Sequence, residues 1–498
     1  MRNLPGHPFL SACSKCVIVG LAGVVLPAVA ATLQVGPTRA FTKPCAAFAA
    51  AATGDIIEID AATYIGDVCG IYPSNLVIRG VNGRPKIDAG GNNAMGKGIW
   101  VIGGSNITVE NVEMYGAKVV DRNGAALRLE GDNFTLRGSF LHDNENGILG
   151  GLSTASNILI ETTEFGHNGY GDGYSHNLYI FNVGSLTFRY NYSHDANVGH
   201  NLKSRARVNT ILYNRFSSTP AGQTGSTASG QPSYEVDLPN AGTTYLIGNV
   251  IEQPAANQNP AMVAYGEEGA SNPGQDLYVV NNTFLNDQSS AGTFIFTGST
   301  VTTPVLMQNN IFGGVGTVNT QATAIDKTNF RSLTPGFVNR ANYDLHPTDT
   351  LVVDSGSTPG ISASGMSLAP VAQYRHVAAG EARPVVGQID IGAYEAVSTT
   401  TTAPPPADTT PPVIAFVSPA NSTKLRRSFK VSVSATDNVG VATTALYVDG
   451  RLAASVGGGI LTTTLSTAGM LGTHTLTAIA VDAAKNQSST SITVNYVR

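Results

Sequence analysis

Lys203, Arg205 and Arg207 occupy alternate positions in the stretch GHNLKSRARVNTILYN, residues 199 to 214, with Leu202, Ser204, Ala206 and Val208 among them. In an extended strand successive side chains point to opposite faces, so this spacing puts three cations on one face and small or apolar residues on the other. Like charges side by side on a sheet repel unless an anion lies over them. Lysine and arginine in that arrangement suit a carboxylate or sulfate, and they can stabilise negative charge that develops during a reaction. Two histidines precede matching strands, His176 in HNLYIF and His200 in HNLKSR. Imidazole titrates near neutral pH, which makes both candidates for proton transfer. Further histidines, His142, His167 and His194, recur in SFLHDN, EFGHNG and YSHDAN at what read as equivalent positions of successive repeats. Their spacing matches no zinc signature, although a His/Asp metal site stays open.

The neighbouring strands extend this face. Aligning HNLYIF (176–181), HNLKSR (200–205), YEVDLP (234–239) and MVAYGEE (262–268) in parallel register, with Leu178, Leu202, Val236 and Met262 inward, predicts an outward patch. Tyr179 and Phe181 come first, then the three cations, then Glu235 and Asp237, then Tyr265 and Glu267, on strands about 4.8 Å apart. Aromatic rings stack on sugars and cations hold acidic groups, so the patch, with Asn177 and Asn201 beside it, reads as a floor for an anionic polysaccharide. Arg207, Phe181, Asn201, Asn177 and Tyr265 are its expected substrate-binding residues. Glu235, Asp237 and Glu267 offer oxygen ligands to a hard cation such as Ca2+. In the competing reading, Glu235 and Asp237 merely neutralise the cations in a surface network. Exposed ion pairs contribute only about 0–1 kcal/mol each, a weak reason to concentrate charge in a chain with 13% charged residues.

The elements that must position these groups are strands. The 498 residues carry 55 glycines, a formal charge of −5, and conspicuous Asn, Thr and Ser, which suits an all-β protein with many tight turns. That charge gives no electrostatic basis for non-specific nucleic-acid binding. ITVENVEM, LTFRYNYS, TILYNRFS, YLIGNVIE, LYVVNNTF and VLMQNNIF share an apolar-x-apolar-x-Asn pattern, with the asparagines at 111, 191, 214, 249, 282 and 310. Spacings of 23, 35, 33 and 28 from Asn191 onward suit stacked coils of short strands, and no helical period appears. An asparagine recurring at such a turn can build a hydrogen-bonded ladder, and it tolerates the left-handed conformation. PCAAFAAAATGD (44–55) fits a short helix capping the open end of the first coil.

The entry AAFAAAATGDIIEIDAATY, the NNTF coils and the closing GQIDIGAYE (387–395) resemble the right-handed parallel β-helix proteins of the pectate-lyase-like superfamily. After them, AVSTTTTAPPPADTTPP reads as an extended Thr/Pro linker. SPANS, DNVGV and YVDG within the last segment look like a bacterial Ig-like module, sized for a seven-stranded sandwich. The N-terminus reads as an export signal: Arg2 and Lys15, the apolar run 16–27, then Ala28-Val29-Ala30. Cys13 and Cys16 leave with it, so Cys45 and Cys69 remain as a candidate disulfide in an oxidising compartment. No later run is apolar enough to span a bilayer. The expected organisation is a signal peptide over 1–30, a right-handed parallel β-helix over 31–396, a linker over 397–412 and an Ig-like β-sandwich over 413–498. The expected location is secreted, periplasmic or at the cell surface.

Enzymes of this superfamily include pectate, alginate and chondroitin lyases, epimerases and polygalacturonases. NLKSRARVNTILYN is similar to the basic strand of the alginate lyase/chondroitinase B family, where a lysine is the base and calcium neutralises the sugar carboxylate. Matched on the downstream NT and YN, Arg205 takes that lysine's position and Lys203 lies two residues before it on the same face. The family's arginine acid one coil later is replaced here by Glu235 and Asp237, so Tyr179, His176 or His200 would donate the proton. The resemblance therefore implies a polysaccharide lyase acting on a uronate-containing glycan by β-elimination, with Lys203, Arg205, His200, His176 and Tyr179 as the catalytic set. The alternative is a non-catalytic glycan-binding or adhesin-like β-helix. A glycoside hydrolase ranks lower, because clustered aspartates are missing. A uronate epimerase also ranks lower, because LHDN and SHDA lack the proline of the Asp-Pro-His-Asp motif.

Overall fold

A computed structural model describes residues 30–217, 232–288, 290–397, 408–466 and 471–497. Most of the expected export signal and of the Thr/Pro linker lies outside the described residues. The chain divides into two compact units, Met1–Ser398 and Thr399–Arg498.

The first unit winds into coils of three short strands. Successive coils pair in parallel and build three sheets of 12, 10 and 11 strands among the described residues. One coil runs through Ser185–Arg189, Tyr192–His194 and Leu202–Ser204, each strand belonging to a different sheet. Alternation explains the stacking, because every second side chain points into the coil and meets its counterpart one coil on. Val109, Leu136, Ile160, Phe188, Ile211, Leu246, Val279 and Met307 form one such buried column in register. Full burial of a side chain of this size contributes about 1.5–3 kcal/mol, but only stacking achieves it, so the coils stand or fall together.

The helix Pro44–Ala50 covers the first coil, with Phe48 edge-on to Trp100 at 5.0 Å. A disulfide joins Cys45 of this helix to Cys69 in the first strand of the second sheet. At the other end the chain turns back. Tyr374, Ala393 and Tyr394 pack on Tyr192, Val250 and Leu285, and Leu368 packs with Tyr245, Ile247 and Val280. The returning segment thus packs against the outer faces of the 11- and 12-stranded sheets. Tyr179, Lys203, Asp237, Ala264 and Phe296 line the outer face of the 10-stranded sheet.

Asn191, Asn214, Asn249, Asn282, Asn310 and Asn329 form a ladder, each Nδ2 donating to the next Oδ1 at 2.9–3.1 Å. Two details differ from expectation. The ladder residues do not take the left-handed conformation; Tyr190, Tyr213, Gly248, Asn281 and Asn309 just before them do. Asn111 stands one residue outside the ladder, whose line continues in that direction through Thr163, Ser139 and Val112.

The second unit is a small sandwich with a three-stranded and a five-stranded sheet, eight strands among the described residues where seven were expected. Val431, Val433, Leu446, Leu461, Leu476 and Val494 fill its core. The protein is almost all-β, a parallel β-helix followed by a small Ig-like sandwich.

Candidate functional site

Four successive coils build the cationic site. Tyr179 pairs with Lys203, and Lys203 with Asp237, as the alternation predicts. The Lys203 ammonium lies 2.7 Å from Asp237 Oδ2 and 3.4 Å from Glu268 Oε1. Arg205 donates from Nε to the Tyr179 hydroxyl oxygen at 2.6 Å, from Nη1 to Asn240, and from Nη2 to Glu268 Oε2 at 2.6 Å. Phe181 stands edge-on to Tyr179 at 4.6 Å. Burial pushes the Lys203 pKa down, but Asp237 and Glu268 outweigh it and the net shift is upward, so the resting ammonium is charged. One carboxylate, Glu268, spans both cations, and its side chain is 46% exposed.

Glu268 escaped the sequence reading because of register. Val236 pairs with Val263, so the last strand sits one residue away from the expected phase. Such a slip exchanges the two faces. Tyr265 therefore points inward, fully buried, its hydroxyl donating to the Gly242 carbonyl, and cannot bind substrate. Glu267 does reach the face, where burial and the adjacent Asp237 carboxylate push its carboxyl well up. Glu267 therefore keeps its proton at neutral pH.

Glu235 is a second correction. It is fully buried and ends an inner ladder in which Asn144, Asn168, Asn177 and Asn201 each donate to the next, Asn201 donating to Glu235 Oε2. Burial pushes its carboxyl up to about 8 despite the opposing hydrogen bond from Asn201. Asn177 and Asn201 are likewise fully buried, so all three belong to the scaffold and the substrate-binding expectation for the two asparagines fails. The expected calcium donors accordingly do not converge. Glu235 lies inside, Glu267 is held protonated by burial and the adjacent Asp237, and Asp237 already faces the Lys203 ammonium. The residues present do not fit calcium there, and the cations on this face are Lys203 and Arg205. Arg207 is a further correction: the strand ends at Ser204 and the next begins at Val208, so Arg207 sits exposed at the corner rather than on the strand face.

His176 and His200 stack at 4.5 Å with rings 10° apart. Each Nδ1 accepts a backbone N–H, from His200 and Tyr234 respectively, which puts the ring proton on Nε2. His200 Nε2 lies 3.2 Å from Asp237 Oδ2. Burial, with help from nearby cations, pushes both imidazoles well below their usual range. A neutral imidazole with Nδ1 engaged is neither a ready base nor a ready acid, so these two orient Asp237 and the strand starts.

His142 and His194 fall on the 11-stranded sheet, and His167 directly follows one of its strands. His142 and His194 are two coils apart in one column, but Gly166 occupies the coil between, so His167 is one residue out of the expected alignment. Two clusters bring three ligand atoms within 4.8 Å of one another among the described residues: His167, His194 and Asp195 in the first unit, and Asp408, Asp437 and Asp482 in the second.

The comparisons agree with this architecture. A family model described as "Right handed beta helix region" matches residues 86–249, and one described as "Bacterial Ig domain" matches 412–478. The crystal structure of pectate lyase Pel9A superposes with a TM-score of 0.53 at 14% identity, over 74% of this chain and 97% of that one. The chain folds as a right-handed parallel β-helix with a C-terminal Ig-like domain. Weaker similarities include a PL6 family alginate lyase, AlyGC (12% identity, 80% and 61% coverage, TM-score 0.32), and ORF18 of Geobacillus virus E2 (14%, 58% and 56%, 0.34). At those scores they carry no argument. No curated protein sequence matches the chain. Among the described residues no helix is long and apolar enough to cross a membrane.

Proposed function

We propose that the protein is an exported polysaccharide lyase that cleaves a uronate-containing glycan by β-elimination on the face carrying Lys203 and Arg205. The observation that carries this reading is the Glu268 carboxylate, which bridges Lys203 and Arg205 at 3.4 and 2.6 Å and so outlines a seat for a carboxylate. A sugar carboxylate taking that seat would have its charge neutralised, which acidifies the proton on the adjacent carbon and stabilises the enolate. Lys203 would remove that proton once its resting proton has passed to Asp237, 2.7 Å away, which leaves Arg205 as the charge that holds the sugar carboxylate. Tyr179 would protonate the leaving glycosidic oxygen. Its own oxygen accepts from Arg205 Nε, so its O–H is free to donate and Arg205 supports the phenolate left behind. Phe181 adds an apolar surface for a sugar ring beside Tyr179.

The test is ultraviolet absorbance of unsaturated product from a panel of polyuronates and sulfated glycans, with and without added calcium. Lys203→Ala and Arg205→Ala should each lower kcat by about a hundredfold to a thousandfold without disturbing the fold. Absence of product from every polymer, with salt-sensitive binding retained, would overturn the lyase reading. It would favour a non-catalytic glycan-binding role instead, a role consistent with every cation here being already ion-paired at rest.

A further inference from the structure

The lyase reading leaves the histidine cluster on the neighbouring sheet without a role. We propose that His167, His194 and Asp195 form a site for a divalent transition cation of the zinc type. Asp195 Oδ2 lies 2.7 Å from His194 Nδ1 and 3.7 Å from His167 Nε2. Metal–ligand bonds of about 2.0–2.1 Å at tetrahedral to octahedral angles require donor separations of about 2.9–3.4 Å. One contact must therefore open, and the other close, by a few tenths of an ångström.

Three independent features support a built site. First, the second ring nitrogen of His194 lies 3.2 Å from Glu164 Oε1, and Tyr192 stacks on the ring at 4.1 Å. A carboxylate on the far nitrogen is the arrangement that fixes the tautomer and orientation of a ligating imidazole. It leaves Nδ1 to face Asp195. Second, His167 and Asp195 occupy the same left-handed turn position in successive coils, at φ 54° and 52°. That shared backbone conformation stacks an imidazole against a carboxylate. Third, His167 borders a cavity of about 360 Å³ that also takes in Asp143, Glu145, Tyr170 and Asn197, so the imidazole side of the cluster has room beside it for water. Two imidazoles and one carboxylate select a borderline metal over calcium, which prefers six to eight oxygens.

The experiment is metal analysis of the full chain after chelator treatment and reloading with zinc, with cobalt(II) as a spectroscopic probe. One equivalent should bind per chain, and cobalt should give a visible absorption characteristic of nitrogen–oxygen ligation. His167→Asn and Asp195→Asn suit the left-handed backbone, because Asn tolerates it. Each should weaken zinc by about a hundredfold or more, beyond the roughly tenfold to hundredfold loss expected when Glu164→Gln removes the outer carboxylate. His474→Gln, in the Ig-like unit, should change nothing. If neither His167→Asn nor Asp195→Asn folds, Glu164→Gln decides. Binding well below one equivalent, uptake unaltered in these variants, or a loss on His474→Gln would each overturn the proposal. Lyase activity is not the readout, so the site can fail while the lyase reading stands, and the reverse.

Discussion

Glu235→Gln should make the β-helix more stable at neutral pH, and the gain should vanish in acid. Glu235 is fully buried at the end of the inner asparagine ladder, with a carboxyl pushed up to about 8. In the unfolded chain it ionises near 4.5, its ordinary value. Below that pH both states hold the proton and the group contributes no pH dependence. Between about 4.5 and 8 the unfolded state releases its proton while the folded state keeps it, so stability falls by about 1.4 kcal/mol per pH unit. At pH 7 the accumulated loss is about 3 kcal/mol. Glutamine has nearly the same shape, accepts from Asn201 as Glu235 does, and never ionises, so it recovers that loss. For a unit of this size 1 kcal/mol shifts the unfolding midpoint by about 1 °C, and the variant should melt roughly 3–4 °C higher at pH 7 and at the parent temperature near pH 4. Thermal unfolding of both proteins from pH 4 to 8 is the assay. A difference that stays constant across that range would refute the buried, protonated carboxyl. Loss of glycan binding in Glu235→Gln would return the residue to the surface site.

Three further expectations concern the site and its scaffold. Glu268→Ala removes the carboxylate that spans Lys203 and Arg205, so under the lyase reading KM for a polyuronate should fall several-fold with kcat little changed, read by steady-state kinetics. Tyr179→Phe removes the proposed acid and should cut kcat by about a hundredfold or more while leaving the polymer's dissociation constant almost unchanged. Asn249→Ala leaves the Ile211 carbonyl and the Asn214 amide without their buried partner, which should cost about 2–5 kcal/mol in a denaturant melt.

The coil architecture was legible because alternation and recurring asparagines carry both of its periods, within a strand and between coils. Register was legible wherever a repeated polar word fixed the phase. HNL at 176 and 200 aligned those strands, and YEV followed correctly. It failed at AMVAY because all five residues are buried, so no polar position marks which side faces out. That single slip misassigned Tyr265 and hid Glu268. The tandem acids of GEEG were the one available signal, since a second carboxylate beside a basic strand invites pairing. Arg207 was misplaced for a related reason: the coil turns its corner at RAR without glycine or proline to announce it. Glu235 could not be recognised as a ladder end from its own strand, because its partners Asn144, Asn168, Asn177 and Asn201 come from turns with unequal spacing.

The two anions that face the basic strand differ in a way that bears on substrate choice. The Asp237 side chain is 1% exposed, beneath Lys203 and beside His200, whereas that of Glu268 is 46% exposed at the rim. A ligand can displace only the second. With Glu268 displaced, Lys203, Arg205 and Asp237 leave one positive charge, and Glu267 adds nothing because burial and the neighbouring Asp237 keep it protonated. One sugar carboxylate restores neutrality, whereas a neutral hexose would strip Arg205 of its ionic partner and return nothing. Buried or half-buried polar groups left unpaired in this way are what a site uses to reject an analogue that lacks the matching group. On the proposed reading, then, a methyl-esterified uronate should compete poorly with the free acid, and the free acid should bind more tightly in Glu268→Gln, where no resting carboxylate has to be displaced.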